Sequence, residues 1–511
     1  MSKFLRESSG LVREIGPWAA LLMNTAYITF QSGYLLLISS WLNFPSGNLT
    51  AAVLLGAVLF IPVGYLFYFV GTRYYRTASD YIFSSRSLHP AVGVGSLFMF
   101  TVDQMFYNAV MMAFAVTTVL GPSLMALGLA WGSAGLTAEG SYISTSSLAE
   151  FAIGAALLAL LIAINMASVK AGKYLASALS ALAFISYAAV LAVLAARGLG
   201  GAAEALSRYA PGVYEETVKA GSSLGGTSLD TFLLLPYMAY IFPYVNFLVT
   251  VGGEVRRGKA MAVGVLGTYA VTAALVALGV WLSASALSPA FINGAFYLYY
   301  NGQWPQQLPP PYPQVIAALE AKNPALQAFL ALAPISWYLN SPSVIVVQIA
   351  RYLFAMSFDR VLPAAVAYVH PRTHTPLVAH AIDLALSLSI LYLYSFSLVP
   401  NLVATMDIST VATILMYFVV VAAAAIALGV KSRSPSLAAV GAYSTALFLW
   451  VAYEELANPE AYLFTPITNA WIFGFFAAVF ALGALTYYIA RWYRLRSGID
   501  IAWAFKEIPP E

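Results

Sequence analysis

Apolar residues run through this chain in twelve long blocks separated by polar stretches, without the strict alternation of half-buried strands. The blocks cover residues 16–41, 50–70, 91–120, 148–168, 174–196, 231–252, 260–287, 325–358, 377–397, 401–428, 436–453 and 467–491. A helix needs about 20 apolar residues to cross the roughly 30 Å hydrocarbon core, whereas strands of a membrane barrel alternate over about ten residues. The pattern predicts an all-α integral membrane protein with 12 transmembrane helices, numbered here span one to span twelve. The lipid bilayer is then the first partner of its surface.

Composition points the same way, since 61% hydrophobic and 9% charged residues over 511 positions cannot be arranged around one water-soluble core. Lys and Arg are retained on the cytoplasmic side of short loops. With the N-terminus placed inside, only Arg197, Arg208, Lys219 and Lys322 of the 24 basic residues fall outside. The expectation is a multi-pass protein of the cell membrane with both termini cytoplasmic, in tails 1–15 and 492–511. The net charge of +3 is then topology and implies no nucleic acid. The basic start runs into an apolar stretch longer than that of a signal peptide, so no cleavable signal is expected. The absence of cysteine excludes disulfides, thiolate metal sites and cysteine nucleophiles. Three longer outer loops are expected at 121–147, 197–230 and 288–324. The last carries a proline-rich run, Gln306 to Pro313, read as an extended segment that is either a lid or a plain surface loop.

Two spans are imperfect. Backbone at membrane depth must satisfy its own hydrogen bonds, so a broken helix survives only where it is buried or lines a wet cavity. Span six contains Pro236 and then Ile241 to Asn246, with Pro243 inside. Span one carries Thr25, Thr29, Gln31, Ser32 and Gly33 at matching depth. Five spans separate them, the interval expected if spans one to five and six to ten are inverted repeats, each opened by a discontinuous helix. Such breaks suit a small zwitterion or cation; the plainer reading is a proline kink with polar residues bonded back to their own helix. In span three, Asp103, Gln104, Tyr107, Asn108 and Met111 fall on one helical face. Asp103, ionisable within a span, reads as functional by default, pairing with a substrate amine or carrying a proton, or else as packing glue between helices.

Three inner loops resemble those of the amino acid–polyamine–organocation transporter family. They are Thr77 to Phe83 followed by Ser85 to Pro90, then Gly253-Glu254-Val255, then Asp359 to Pro363 through His370-Pro371-Arg372 and Thr375-Pro376. The resemblance implies a LeuT-like 5+5 inverted repeat with discontinuous helices one and six. Its core would be residues 16–430 (repeat one 16–196, repeat two 231–430), with helices 11 and 12 in 431–491. It implies substrate binding between spans one, three, six, eight and ten. The chain departs from the family where Thr29-Phe30-Gln31-Ser32-Gly33 keeps one glycine of the usual break, where Asn246 stands for a frequent acid, and where span five lacks a mid-span lysine.

The expected substrate site is Tyr27, Gln31, Ser32 and Gly33 with Tyr240, Phe242 and Asn246 at the two breaks, supplemented by Asp103, Gln104, Tyr107 and Asn108. Ion coupling, to H+ or Na+, falls to Asp103 and to Ser341 and Ser343, which flank Pro342. Asp407 is an intramembrane residue with a gating reading, Asp383 is expected to reach the inner interface, and Glu254 is expected in an inner ion pair. The histidines sit in loops or near an inner end, and neither a His-Glu-x-x-His motif nor a phosphate-cradling loop is present. No enzyme activity, catalytic residue, metal or cofactor is therefore expected. The function expected is a secondary active transporter, a permease for an amino acid or related organic amine. The alternative is a non-transporting membrane sensor or binding subunit.

Overall fold

The computed structural model describes residues 13–398, 411–458, 461–462 and 470–508; Asp407 lies outside them. Among the described residues the chain is helical, with two isolated β-bridges and no strand. Eleven helices are long and apolar enough to cross a membrane, as in a multi-pass membrane protein. They correspond to every expected span except the sixth. That segment is broken into Asp230–Leu233, Pro236–Tyr240 and Phe247–Thr250, with no helix over 241–246. A proline offers no N–H to its helix, and Pro236 and Pro243 stand within seven residues of one another.

The three expected outer loops are largely helical, contrary to their composition. Span three continues through a wide π turn at Ala115–Leu120 into Gly121–Trp131, and Ala134–Thr145 folds back on it. The span-five helix runs Val169–Tyr209, turning at Gly198 with φ 59°, a left-handed value that glycine adopts without steric cost. The third connection forms Pro289–Tyr300 and Pro313–Glu320. Pro289 and Pro313, like Pro324, occupy the first turns of helices, where the missing N–H needs no partner. Between the first two, residues 301–312, which carry Pro305 and Pro309 to Pro311, form no helix, so that of the Gln306 to Pro313 run only Pro313 is helical.

Hydrogen bonds tie the connections into two ends. At one, the Ile15 N–H donates to the Glu254 carbonyl and the Arg256 N–H to the Ile15 carbonyl, Ala78 N–H donates to the Thr250 carbonyl at 2.7 Å, and Arg86 pairs with Asp359 at 2.7 Å. This is the basic end, where the loop arginines and lysines gather. At the far end the Ser46 amide donates to Asp230 at 3.0 Å and the Asn43 side chain to the Ala461 carbonyl at 2.9 Å.

Glu320 closes the last helix of the far-end connection and is buried against Gly201 and Arg197, with both carboxyl oxygens lacking a hydrogen-bond partner among the described residues. Burial pushes its pKa up to about 8, against the pull of Arg197. The folded chain therefore holds this proton where the unfolded chain, near the ordinary glutamate value of about 4.3, has released it. Stability from this group is full below that value and is lost as pH rises toward about 8. The thermal midpoint of purified protein should accordingly fall between pH 5 and 8 by an increment that Glu320→Gln removes; an identical slope in the variant would refute the assignment.

Candidate functional site

Span one breaks at Thr29. The helix Pro17–Ile28 ends there and Phe30–Ser40 begins on its other side, with Thr29 at φ 42°, ψ 55°. A β-branched residue in this left-handed region is an outlier that costs on the order of 1 kcal/mol or more. It is held by its surroundings: Thr29 Oγ1 donates to the Trp337 carbonyl, and the Trp337 indole donates to Ser186 Oγ at 2.9 Å. Just before the break, the Tyr27 carbonyl accepts from Ser341 Oγ at 2.9 Å. One break is thereby fastened to spans five and eight.

The two breaks lie against each other. A Cβ added to Gly33 would come within 2.8 Å of Ile241 Cγ1, so any larger residue would have to push the Ile241 side chain aside. Asn24 of span one donates to the Val245 carbonyl at 3.2 Å and to the Gly264 carbonyl at 2.8 Å. The rings of Tyr27 and Tyr244 sit 6.2 Å apart. Between the breaks and spans three and eight opens a cavity of about 410 Å3. It extends along span one to Ser39 and Asn43 and reaches Tyr300 and Tyr312 of the far-end connection, so it opens at the far end.

Of the expected site residues, Tyr27, Ser32, Gly33, Gln104, Tyr107 and Tyr240 line this cavity, as does Ser341. Gln31, Asp103, Asn108, Phe242, Asn246 and Ser343 do not. Phe242 packs against Phe60 and Tyr269, away from the opening, because the irregular 241–246 stretch turns it outward. Gln31 and Asn108 are buried, and neither their amide nitrogens nor their oxygens find a partner among the described residues. Ser343 Oγ donates to the Asn340 carbonyl at 2.5 Å. Asp103 stands behind Gln104, whose Nε2 donates to Asp103 Oδ2 at 3.0 Å while its Oε1 accepts from the Tyr27 hydroxyl at 3.2 Å. Among the described residues, no Asp, Glu, Lys or Arg lines the cavity, whereas seven tyrosines do.

Toward the basic end the cavity gives way to a buried polar hub that sequence reasoning missed. Asp80, fully buried, accepts from the Tyr352 hydroxyl at 2.6 Å, from the Tyr417 hydroxyl and from the Tyr81 amide at 2.9 Å. Tyr417 in turn accepts from Asn246 Nδ2 at 3.0 Å, and Tyr352 from Thr250 at 2.8 Å. Gln348 donates to Thr250 Oγ1 at 3.1 Å. The hub thus clasps the first basic-end loop, the lower half of the broken segment, span eight and span ten. Burial raises the Asp80 pKa, opposed by the hydrogen bonds from Tyr352 and Tyr417. Gln348 and Tyr352 stand one helical turn apart on span eight, a signal for a polar face there but not for the carboxylate that it meets.

A buried ion pair, besides that of Arg86 and Asp359, reinforces this end. Glu254 does form an ion pair, but with Arg351, at 2.6 Å and with both side chains buried. Arg351, counted in the sequence with the charges of the basic loops, lies inside the helix Ile335–Phe358. Asp383 is fully buried, accepting from Ser387 Oγ at 2.8 Å, instead of reaching an interface. No group of three or more His, Cys, Asp or Glu among the described residues has the arrangement of a metal site.

Compared with known proteins, the chain matches no family model and no curated sequence.

Proposed function

We propose that the protein is a secondary active transporter that moves an amino acid or related organic amine across the cell membrane by alternating access, coupled to H+ or Na+. The observation that carries this reading is the meeting of two helix breaks, at Thr29 and at 241–246, on one cavity that opens at one end and is latched at the other. Discontinuous helices at the membrane midplane are where transporters of the inverted-repeat kind hold substrate. The proposal extends to the LeuT-like 5+5 arrangement over residues 16–430, followed by helices 11 and 12, and to a cytoplasmic basic end with both termini there, as retention of Lys and Arg requires.

On this reading Ser32, Gln104, Tyr107 and Ser341 offer the polar contacts for a head group, and Tyr27, Tyr240 and Tyr244 offer ring faces. A cavity without lining charge favours a substrate that carries its own balancing charges, or a single amine held by ring faces through cation–π attraction. Passage to the cytoplasm requires release of the Asp80 hub and of the Glu254–Arg351 and Arg86–Asp359 pairs, with the cavity closing at the far end as they part. Coupling falls to Asp103 for a proton, or to Ser341 and Ser343 for sodium.

Uptake of radiolabelled amino acids and amines into proteoliposomes is the test, with proton and sodium gradients imposed separately. Accumulation above equilibrium under one of the two gradients is the expected result. Saturable binding without flux under either would instead make the protein a sensor or binding subunit.

A further inference from the structure

A second, smaller cavity of about 140 Å3 lies at the basic end, away from the tyrosine-lined one. At about 10–15 Å3 of void per water molecule, it has room for one tetrahedral oxyanion. Its wall holds Lys170, Lys173, Arg351, Arg372, His374 and His380 against two carboxylates, Glu14 and Glu254. Lys173 faces Glu14 at 3.7 Å and Arg351 faces Glu254 at 2.6 Å, which leaves Lys170 and Arg372 as the cations of the wall without a carboxylate partner among the described residues.

Three further features converge on the same space. The cap residue Ser168 and the first helical residues Val169 and Lys170 line it, so the positive end of the helix that runs from Val169 to the turn at Gly198 is at the wall. Arg351 uses Nε for Glu254, and its Nη1, buried in a residue 1% exposed, has no hydrogen-bond partner among the described residues. His380, also 1% exposed, leaves Nδ1 without a partner among them. Buried polar atoms of this kind are rare unless something meets them, and what suits an arginine, a helix N-terminus and two further cations is an anion with several oxygens.

We infer that this basic-end cavity is a binding site for a phosphate-like oxyanion, either a free phosphate or the phosphomonoester headgroup of a lipid. Lys170, Arg372 and the N-terminus of the span-five helix hold it, with Arg351 on the same wall. Because Arg351 also pairs with Glu254 at the end of the broken segment, the bound oxyanion competes for that guanidinium and loosens one of the buried ion pairs that close this end.

The test uses full-length protein and inorganic phosphate as the probe, and reads binding rather than transport. Radiolabelled phosphate should bind saturably to purified protein, with chloride replacing it at matched ionic strength as the reference. Arg372→Gln and Lys170→Gln, both at exposed positions that leave the buried Arg351–Glu254 pair intact, should each weaken it by about tenfold or more, the loss expected of one charge-assisted contact. Lys219→Gln, at the far end, should bind as the parent does. In nanodiscs, phosphatidate but not phosphatidylcholine should compete with phosphate if the source is a headgroup; free phosphate is the source if neither lipid competes. No saturable phosphate binding, or equal affinity in all three variants, overturns the inference.

Discussion

Replacing Asp80 with asparagine should unlatch the basic end. The carboxylate accepts from Tyr352 at 2.6 Å, from Tyr417 and from the Tyr81 amide, and hydrogen bonds to a charged group are worth about 1.5–3 kcal/mol each. Asparagine keeps one accepting oxygen and turns two donors toward tyrosine oxygens that already accept from Thr250 and Asn246. Both tyrosines then lose their common acceptor, and a conformation open at the basic end gains population by about tenfold or more. The absence of cysteine makes the measurement clean. A single Ile345→Cys, on the wall of the large cavity, should react slowly with an impermeant maleimide supplied from the basic end, and at least about ten times faster when Asp80→Asn is added. Tyr352→Phe, which keeps the carboxylate and removes one donor, should give an intermediate rate and guards against a folding defect in the asparagine variant. Burial holds the Asp80 pKa above its ordinary value, so the labelling rate of the parent, divided by that of Asp80→Asn at the same pH to cancel the thiolate fraction of the cysteine, should rise toward one as pH falls through that raised value. Equal labelling in parent and variants would remove Asp80 from the closure.

What could be read in the residues and what could not divides along physical lines. Span positions follow from local apolar runs, so eleven of them appear as long helices. The break in span six was legible because Pro236, Pro243 and Asn246 fall within one apolar block. The break in span one was legible only through the polar run from Thr29 to Gly33, and the left-handed Thr29 had no local signal; its conformation is imposed by Trp337, over three hundred residues away. The helices of the outer connections were misread because glycine, serine and proline content signals loops in water, whereas Pro289, Pro313 and Pro324 here start helices. Which face of each broken segment turns to the cavity depends on the backbone path through the break. That is why Ser32 and Tyr240 line it while Gln31 and Phe242 do not. The Asp80 hub joins four segments distant in sequence, and no spacing within any one of them announces a shared carboxylate.

Asp103→Asn should separate coupling from binding. The structure puts Asp103 behind Gln104, bonded at 3.0 Å and off the wall of the large cavity, so a bound amine meets Gln104 and Tyr27 before it meets the carboxylate. Asparagine preserves that contact, since its own oxygen can accept from Gln104 Nε2, and it removes only the charge and the ability to take up a proton. If Asp103 is the proton carrier, substrate affinity should change little while proton-driven accumulation falls to the equilibrium level and exchange of internal for external substrate continues. If the carboxylate instead pairs with a cationic substrate after a rearrangement of Gln104, affinity for cations should drop by about tenfold or more wherever the aspartate is ionised, because a charge-assisted contact becomes a neutral one. Affinity for neutral zwitterions would then be spared. The shielding by Gln104 favours the first outcome, and so does the lack of a lysine in the middle of span five that could serve instead. Uptake, exchange and affinity all at parental values in the asparagine variant would leave Asp103 as a helix-packing residue and move coupling to the Ser341 and Ser343 hydroxyls, where a sodium gradient, and not a proton gradient, would have to drive accumulation.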